Sequence, residues 1–406
     1  MSKKLIFLFL IGLLVISPRV VWAQTPQAKT VKIGVISAQS GSMAYMGLSM
    51  LRSVELLAKN VNEKGTLGQG PGLLVGGQRY KLEVVSYDDS ADPAKSVAGM
   101  RKLVELYKVP VICGPIGTPH TWACQEVNVQ LGVLFNGMSS SDLSRKKGNP
   151  LYIQERYPTL YFGDPMAQAC INRGYRKACV LTDVSEAYSS WGKRFKEKFE
   201  SLGGKILGFE SVDIKTTTDY RSIMTSFKGK NPDIIFITSY EEPMALAASH
   251  ALEVGYKGRF LLNSEWVNKA EKIVPLDKIE SSLVEAFLWT FYRKYPDQDK
   301  KGYLTSYLKQ YVAIHGDEPA TTGPNVYDSA YMMIRAMEIA GTVTDPYAIR
   351  AACPKVLQEG KIHTVYPYKD LLKNGLMWGA PELLLEVKGG QYKFVQELVL
   401  PRELLE

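Results

Sequence analysis

The chain is 406 residues long with a formal net charge of +8, and its acids and bases are interspersed along the sequence. A mild, mixed charge of that kind argues against nucleic acid or an anionic membrane surface as partner. Five cysteines without a Cys-x-x-Cys pair, and four histidines with none at ligand spacing from another, argue against a zinc site and give no reason to expect a cofactor.

The chain opens on Met1-Ser2-Lys3-Lys4, continues as LIFLFLIGLLVIS and reaches Val21-Trp22-Ala23. A basic start, an apolar stretch of about a dozen residues and a terminal small residue make a cleaved signal peptide over 1–23. The stretch is short of the roughly 20 residues a spanning helix needs, and no cysteine offers a lipid anchor. Loss of Lys3, Lys4 and Arg19 lowers the net charge to +5. The remaining residues, about 380, exceed one typical core and imply two domains. An odd number of cysteines in an exported chain leaves at least one unpaired. Cys113, inside an apolar run, reads as a small buried hydrophobe, whereas Cys170 and Cys179 flank a turn and can pair if their positions converge.

After the leader, apolar β-branched runs alternate with amphipathic segments: VKIGVISA (31–38), the helical LSMLRSVELLAKNVNEKG, YKLEVVSYDD (80–89), the helical AKSVAGMRKLVELYK, VPVICG, a helix near HTWACQEVNVQLG, and VLFNG. LYIQERYPTLYFGD (151–164) reads as a crossing segment. The alternation then restarts with KACVLTD, SSWGKRFKEKFESLGG, KILGFESV, a helix over 220–228, DIIFITS, PMALAASHALEVG and GRFLLNS. Helices are predicted over 297–315 and 326–341, and LLLEVKGGQYKFVQEL reads as a hairpin turning at Gly389-Gly390. Continuous apolar strands with helices between them predict an α/β fold of two doubly wound parallel-sheet lobes. In such sheets ligands bind beyond the carboxyl ends of the strands, here in a cleft between lobes.

Four loops stand at those ends: Ser40-Gly41-Ser42, GPIGTPHT (114–121), NGMSSSD (136–142) and NSEW (263–266). A loop opening a helix leaves backbone N–H groups free at the positive end of the dipole. GPIGTPHT therefore suits an anion, with Thr118 as hydroxyl donor, although no lysine follows as in a phosphate loop. Thr118 and Thr121 serve equally as helix caps, and so do Ser139, Ser140 and Ser141, beside which Asp142 resists an anion. Glu265 either caps a helix or faces a cation. His120 lacks an evident orienting acid, and no nucleophile elbow, zinc-protease helix or phosphate loop is present, so an enzyme is not expected.

Taken in order, VKIGVISAQSG with a helix ending AKNVNEKG, VVSYDDSADPAKSV, GPIGTPHT, SEW and GPNVYDSAYMMIRAM resemble the periplasmic solute-binding proteins of branched-chain amino acid ABC transporters, the leucine-isoleucine-valine binding proteins with the type I periplasmic binding fold. The likeness spans nearly the whole mature chain. It implies that Thr118 and Ser139, with backbone from Ile116 and Met138, hold a ligand carboxylate. It further implies that Glu265 takes the ammonium group and that Tyr188, Tyr240 and Tyr327 line the cleft. Three crossings near 156, 290 and 365 would divide the chain into lobes of 24–155 with 290–364 and 156–289 with 365–406. A disulfide found in some members is absent, its positions being Ala91 and Gly117. Met138 and Trp266 depart from the pattern and either reshape the side-chain pocket or pack.

The expectation is a monomeric periplasmic protein that captures an amino acid, branched-chain, other hydrophobic or aromatic, and delivers it to ABC permease subunits. Glu265 favours an amine-bearing ligand, because a desolvated carboxylate without a partner is costly. The alternatives are a binder of amine-free aromatic or other small carboxylates and a ligand-sensing receptor.

Overall fold

The structure is a computed structural model and describes residues 29–41, 43–267, 270–360 and 366–406. The expected leader, Ser42 and the crossing position 365 lie outside the described residues.

The apolar runs form two sheets. The first contains β1 (Lys29–Ser37), β2 (Leu73–Val75), β3 (Gln78–Asp88), β4 (Val111–Ile116), β5 (Leu134–Met138) and β6 (Tyr152–Ile153), in the order β2-β3-β1-β4-β5-β6. The second contains β7 (Lys177–Asp183), β8 (Lys205–Val212), β9 (Ile234–Thr238), β10 (Arg259–Leu262) and β11 (Leu283–Ala286). After a two-stranded ladder of β12 (Asp370–Leu371) and β13 (Met377–Trp378), the hairpin β14 (Glu382–Lys388) and β15 (Gln391–Leu398) completes it in the order β15-β14-β11-β10-β9-β7-β8. The pairs among β1, β3, β4, β5 and β6, and among β7 to β11, are parallel. The hairpins at the two edges turn at Gly76-Gly77 and Gly389-Gly390, both glycines of each pair having positive φ, which two-residue hairpin loops require.

Each sheet is buried on both faces, which explains why its strands read as unbroken apolar runs. On the first, Val54, Leu57, Val326 and Met333 fill one side, while Met100, Leu103 and Cys124 fill the other. On the second, Met224, Phe227 and Ala248 face Phe195, Phe199 and Met166 across the strands. The alternation of β7 settles the cysteine question. Ala178 and Val180 point to the face that carries Cys170, whereas Cys179 points with Leu181 to the opposite one. The two thiols therefore stay apart, and all five cysteines are free and buried.

The strand order turns back between β1 and β4 in the first sheet and between β7 and β9 in the second. The chain ends beyond these points are where a ligand crevice forms. The backbone demands glycine at Gly114 in β4, where φ is +90° and a Cβ would stand 2.0 Å from the Ile36 carbonyl oxygen.

Three details differ from the sequence reading. β11 was not expected, because LVEA is short and carries Glu285. The helix expected over 297–315 begins at Tyr303, after the left-handed Gly302, and the one expected from 326 begins at Thr322. Its Pro324 is tolerated because the first turn has no intrahelical N–H bonds to lose. This helix, Thr322–Ala340, packs on the helix Ala44–Lys64 and on β2, β4 and β5, so the chain returns from the second sheet to the first before leaving again for β14. Where the passages run together, Tyr368 donates to the Glu155 carbonyl at 3.0 Å and the Gly379 N–H to the Tyr157 hydroxyl at 2.7 Å.

Candidate functional site

β4 and β5 end side by side, with Ile116 opposite Met138. The Gly117 N–H donates to the Met138 carbonyl at 2.9 Å, and Gly117 holds φ at +98°, a value that suits glycine. The chain then turns into the helix Thr118–Gln125. Pro119 costs nothing in that first turn. The Ile116 and Met138 side chains are buried in the core of this half, so the departure at Met138 is packing, and what these two residues present is backbone only.

The hydroxyls beyond these ends form a connected chain. The indole N–H of Trp122 is a donor only, and it donates to Ser144 Oγ at 2.9 Å. Ser144 Oγ lies 2.7 Å from Ser139 Oγ, which lies 3.0 Å from Thr118 Oγ1. The Ser141 N–H also donates to Ser139, at 3.2 Å. Each of these hydroxyls can donate or accept, and when Ser139 donates to Thr118 the Thr118 proton is available beyond the end of β4. Ser141 is a helix cap, accepting from the Leu143 N–H at 3.2 Å. The feared repulsion from Asp142 is cancelled internally, because Arg145 and Lys146 pair with it and Tyr161 donates to it at 3.1 Å.

The second sheet brings different chemistry. Tyr188, two residues into the helix that follows β7, and Tyr240, at the end of β9, meet edge to face with ring centroids 4.9 Å apart. Burial raises the Tyr188 hydroxyl well above the usual tyrosine range, with Glu265 and Tyr240 adding to it. Glu265 sits on the short turn Ser264–Val267 after β10, its N–H bonded to Asn263 Oδ1 at 3.3 Å. Its carboxylate is not waiting for a cation: Oε1 lies 3.2 Å from Nη2 of Arg156, and both side chains are nearly buried. Arg156 comes from the first passage between the sheets and lies over the Phe287 ring at 4.9 Å. Tyr45, at the start of the helix after β1, answers from the first half. Its side chain is 48% exposed, and its hydroxyl is pushed up by partial burial first and then by the charges of Glu265, Glu241 and Glu242.

Sequence reasoning placed Thr118, Ser139, Tyr188, Tyr240 and Glu265 at these strand ends and missed Tyr45, Trp122, Ser144 and Arg156. Two expectations are corrected. Trp266 is wholly buried in the core of the second half, because on its turn it points away from its neighbour Glu265. Tyr327 packs edge to face on Tyr307 at 5.1 Å and accepts from Asn60 at 3.3 Å, between the helices Ala44–Lys64 and Tyr303–His315, apart from Tyr188 and Tyr240. Among the described residues, no group of three or more His, Cys, Asp or Glu side chains is arranged to hold a metal, and no helix is long and apolar enough to cross a membrane.

Residues 30–364 match the family model described as periplasmic binding protein. The chain is 21% identical to the Leu/Ile/Val-binding protein homolog 7 of Brucella abortus (strain 2308), over 84% of this chain and 92% of that one. It is similar in fold to the crystal structure of the leucine binding protein LivK from Thermotoga maritima, with TM-score 0.72, 20% identity, and coverage of 91% and 99%. It is similar too to a solute binding protein of an ABC transporter from R. palustris in complex with benzoate, with TM-score 0.70, 15% identity, and coverage of 91% and 96%. These are binding proteins and not enzymes, and they share the two-lobed type I fold. The chain belongs to the periplasmic binding protein family.

Proposed function

We propose that this protein captures an amino acid or a related small carboxylate outside the cytoplasm and delivers it to the permease of an ABC importer, without covalent chemistry. The observation that carries the reading is the hydroxyl chain from Trp122 through Ser144 and Ser139 to Thr118, which gathers hydroxyl groups able to donate at the end of β4. A carboxylate takes a charge-assisted bond from such a donor, and the adjoining helix start favours the same sign of charge. Tyr188 and Tyr240 offer their rings to the ligand's apolar body. The family, and the ligands named for its leucine- and benzoate-binding neighbours, support a small carboxylate. On this reading residues 1–23 are a cleaved leader and the protein works as a monomer. The lobes, 24–155 with 290–364 and 156–289 with 365–406, close over the ligand on their three passages.

Mass spectrometry of small molecules released by denaturing natively purified protein identifies the ligand, and titration followed by tryptophan fluorescence measures its affinity. Thr118→Val is expected to weaken binding about tenfold or more, the worth of one hydrogen bond to a charged group. Chemical turnover of the bound compound, or full affinity in the Thr118 variant, would sink the reading.

A further inference from the structure

Arg156 and Glu265 meet at 3.2 Å with little access to water, which makes the pair hard to replace. An ammonium group bound at Glu265 would have to displace the guanidinium or stand against it, and like charges at contact in a desolvated site repel strongly. The guanidinium is also held from a second side, over the Phe287 ring. Of the surrounding acids, Asp183 acts on Tyr188 and Tyr240 from the end of β7, where its oxygens accept the Ser185 N–H at 2.9 Å and the Ile214 N–H at 3.4 Å. Glu285, wholly buried next to this pair, is pushed up to about 8 by burial first, with Glu265 adding and Ser264 and Arg156 opposing. It therefore carries a proton at neutral pH. Glu155 turns to Asn136, at 2.8 Å, and to Ser329. At the rim, Glu241 accepts from the Ala270 N–H at 3.0 Å and Glu242 stands in solvent, where its charge is screened.

We infer that Arg156 sets the charge class of the ligand: as the built-in counter-ion of Glu265, it makes this a site for carboxylic acids that lack an α-ammonium group. The inference rests on the carboxylate-binding reading above and narrows it. The ligand's carboxylate lies at Thr118, its uncharged body meets Tyr188 and Tyr240, and the neutral Arg156 and Glu265 pair bounds the far side. Arg156 is thus a specificity-determining residue, acting through Glu265.

The test uses matched acids and amino acids on the mature protein by calorimetry: 4-methylpentanoate against leucine, 3-phenylpropanoate against phenylalanine, and phenylacetate against phenylglycine. The wild type is expected to bind the amine-free member of a pair at least tenfold more tightly. Arg156→Gln uncovers the Glu265 charge and is expected to shift that ratio at least tenfold toward the amino acid, whereas Glu265→Gln moves it no further in that direction. Circular dichroism checks that each variant is folded, and the wild-type ratio decides the matter even if Arg156→Gln is not. Preference of the wild type for the amino acid, lost in Glu265→Gln, overturns this inference alone. Binding of no member of any pair overturns the carboxylate reading and this inference with it.

Discussion

The indole N–H of Trp122 donates to Ser144 Oγ at 2.9 Å, and from Ser144 the hydroxyl contacts run on to Ser139 at 2.7 Å and to Thr118 at 3.0 Å. A ring that is donor only, at one end of a hydroxyl chain, biases the direction of that chain's protons.

Replacing that ring with one lacking the N–H therefore acts at a distance. Trp122→Phe is expected to weaken ligand binding about three- to tenfold, on the order of 1 kcal/mol for one hydrogen bond, with little change in melting temperature. Affinity measured by calorimetry beside a melting curve checks it, and unchanged affinity would show that the chain is not oriented from Trp122.

Glu285 gives stability a pH dependence of definite sign. Its folded-state value is raised from 4.5 to about 8, with burial as the largest cause. Between those values the folded protein holds a proton that the unfolded chain has lost, so stability falls as pH rises through the window and levels off above it. Glu285→Gln is expected to flatten this fall and to be the more stable form at pH 8, by an amount on the order of a few kcal/mol. Glu155, raised to about 6, adds a narrower slope at the acid end. Denaturant unfolding from pH 5 to 9 makes the comparison, and parallel wild-type and variant curves would contradict it.

The cysteines predict a plain chemical result. With all five free and buried, the native protein should resist alkylation, and protein denaturated without reductant should take up five labels. Three labels by mass spectrometry would reveal a disulfide.

Tyr327 provides a contrast to the cleft tyrosines. Tyr327→Phe removes only the bond from Asn60 and is expected to cost about 1 kcal/mol of stability with ligand affinity unchanged. Tyr188→Ala, by comparison, removes a ring of the edge-to-face pair and should weaken binding at least tenfold. Equal effects of the two variants on affinity would return Tyr327 to the site.

The alternation of strands and helices was legible because parallel strands covered on both faces leave unbroken apolar runs such as KACVLTD and DIIFITS. The strand-end loops followed, and with them Thr118, Ser139 and Glu265. Arg156 was not legible, since nothing in LYIQERYP separates an arginine facing a cleft from one on the surface, and its partner lies 109 residues away. Trp266 and Tyr327 failed for another reason. Each was placed in the cleft with its segment, but on a turn or helix adjacent side chains point in different directions. Asp328, next to Tyr327, receives the Tyr366 N–H at 2.8 Å on the passage side. Which way a side chain points depends on what the element packs against.

Arg156 stands two residues from Gln154, whose N–H and carbonyl are tied to Gly375 and Met377 at 2.8 Å each. The guanidinium is thus mounted on the passage between the two sheets and not on either sheet. A protein engineer who retunes the charge at this position also disturbs the backbone that joins the sheets, and one who stiffens that backbone displaces the charge.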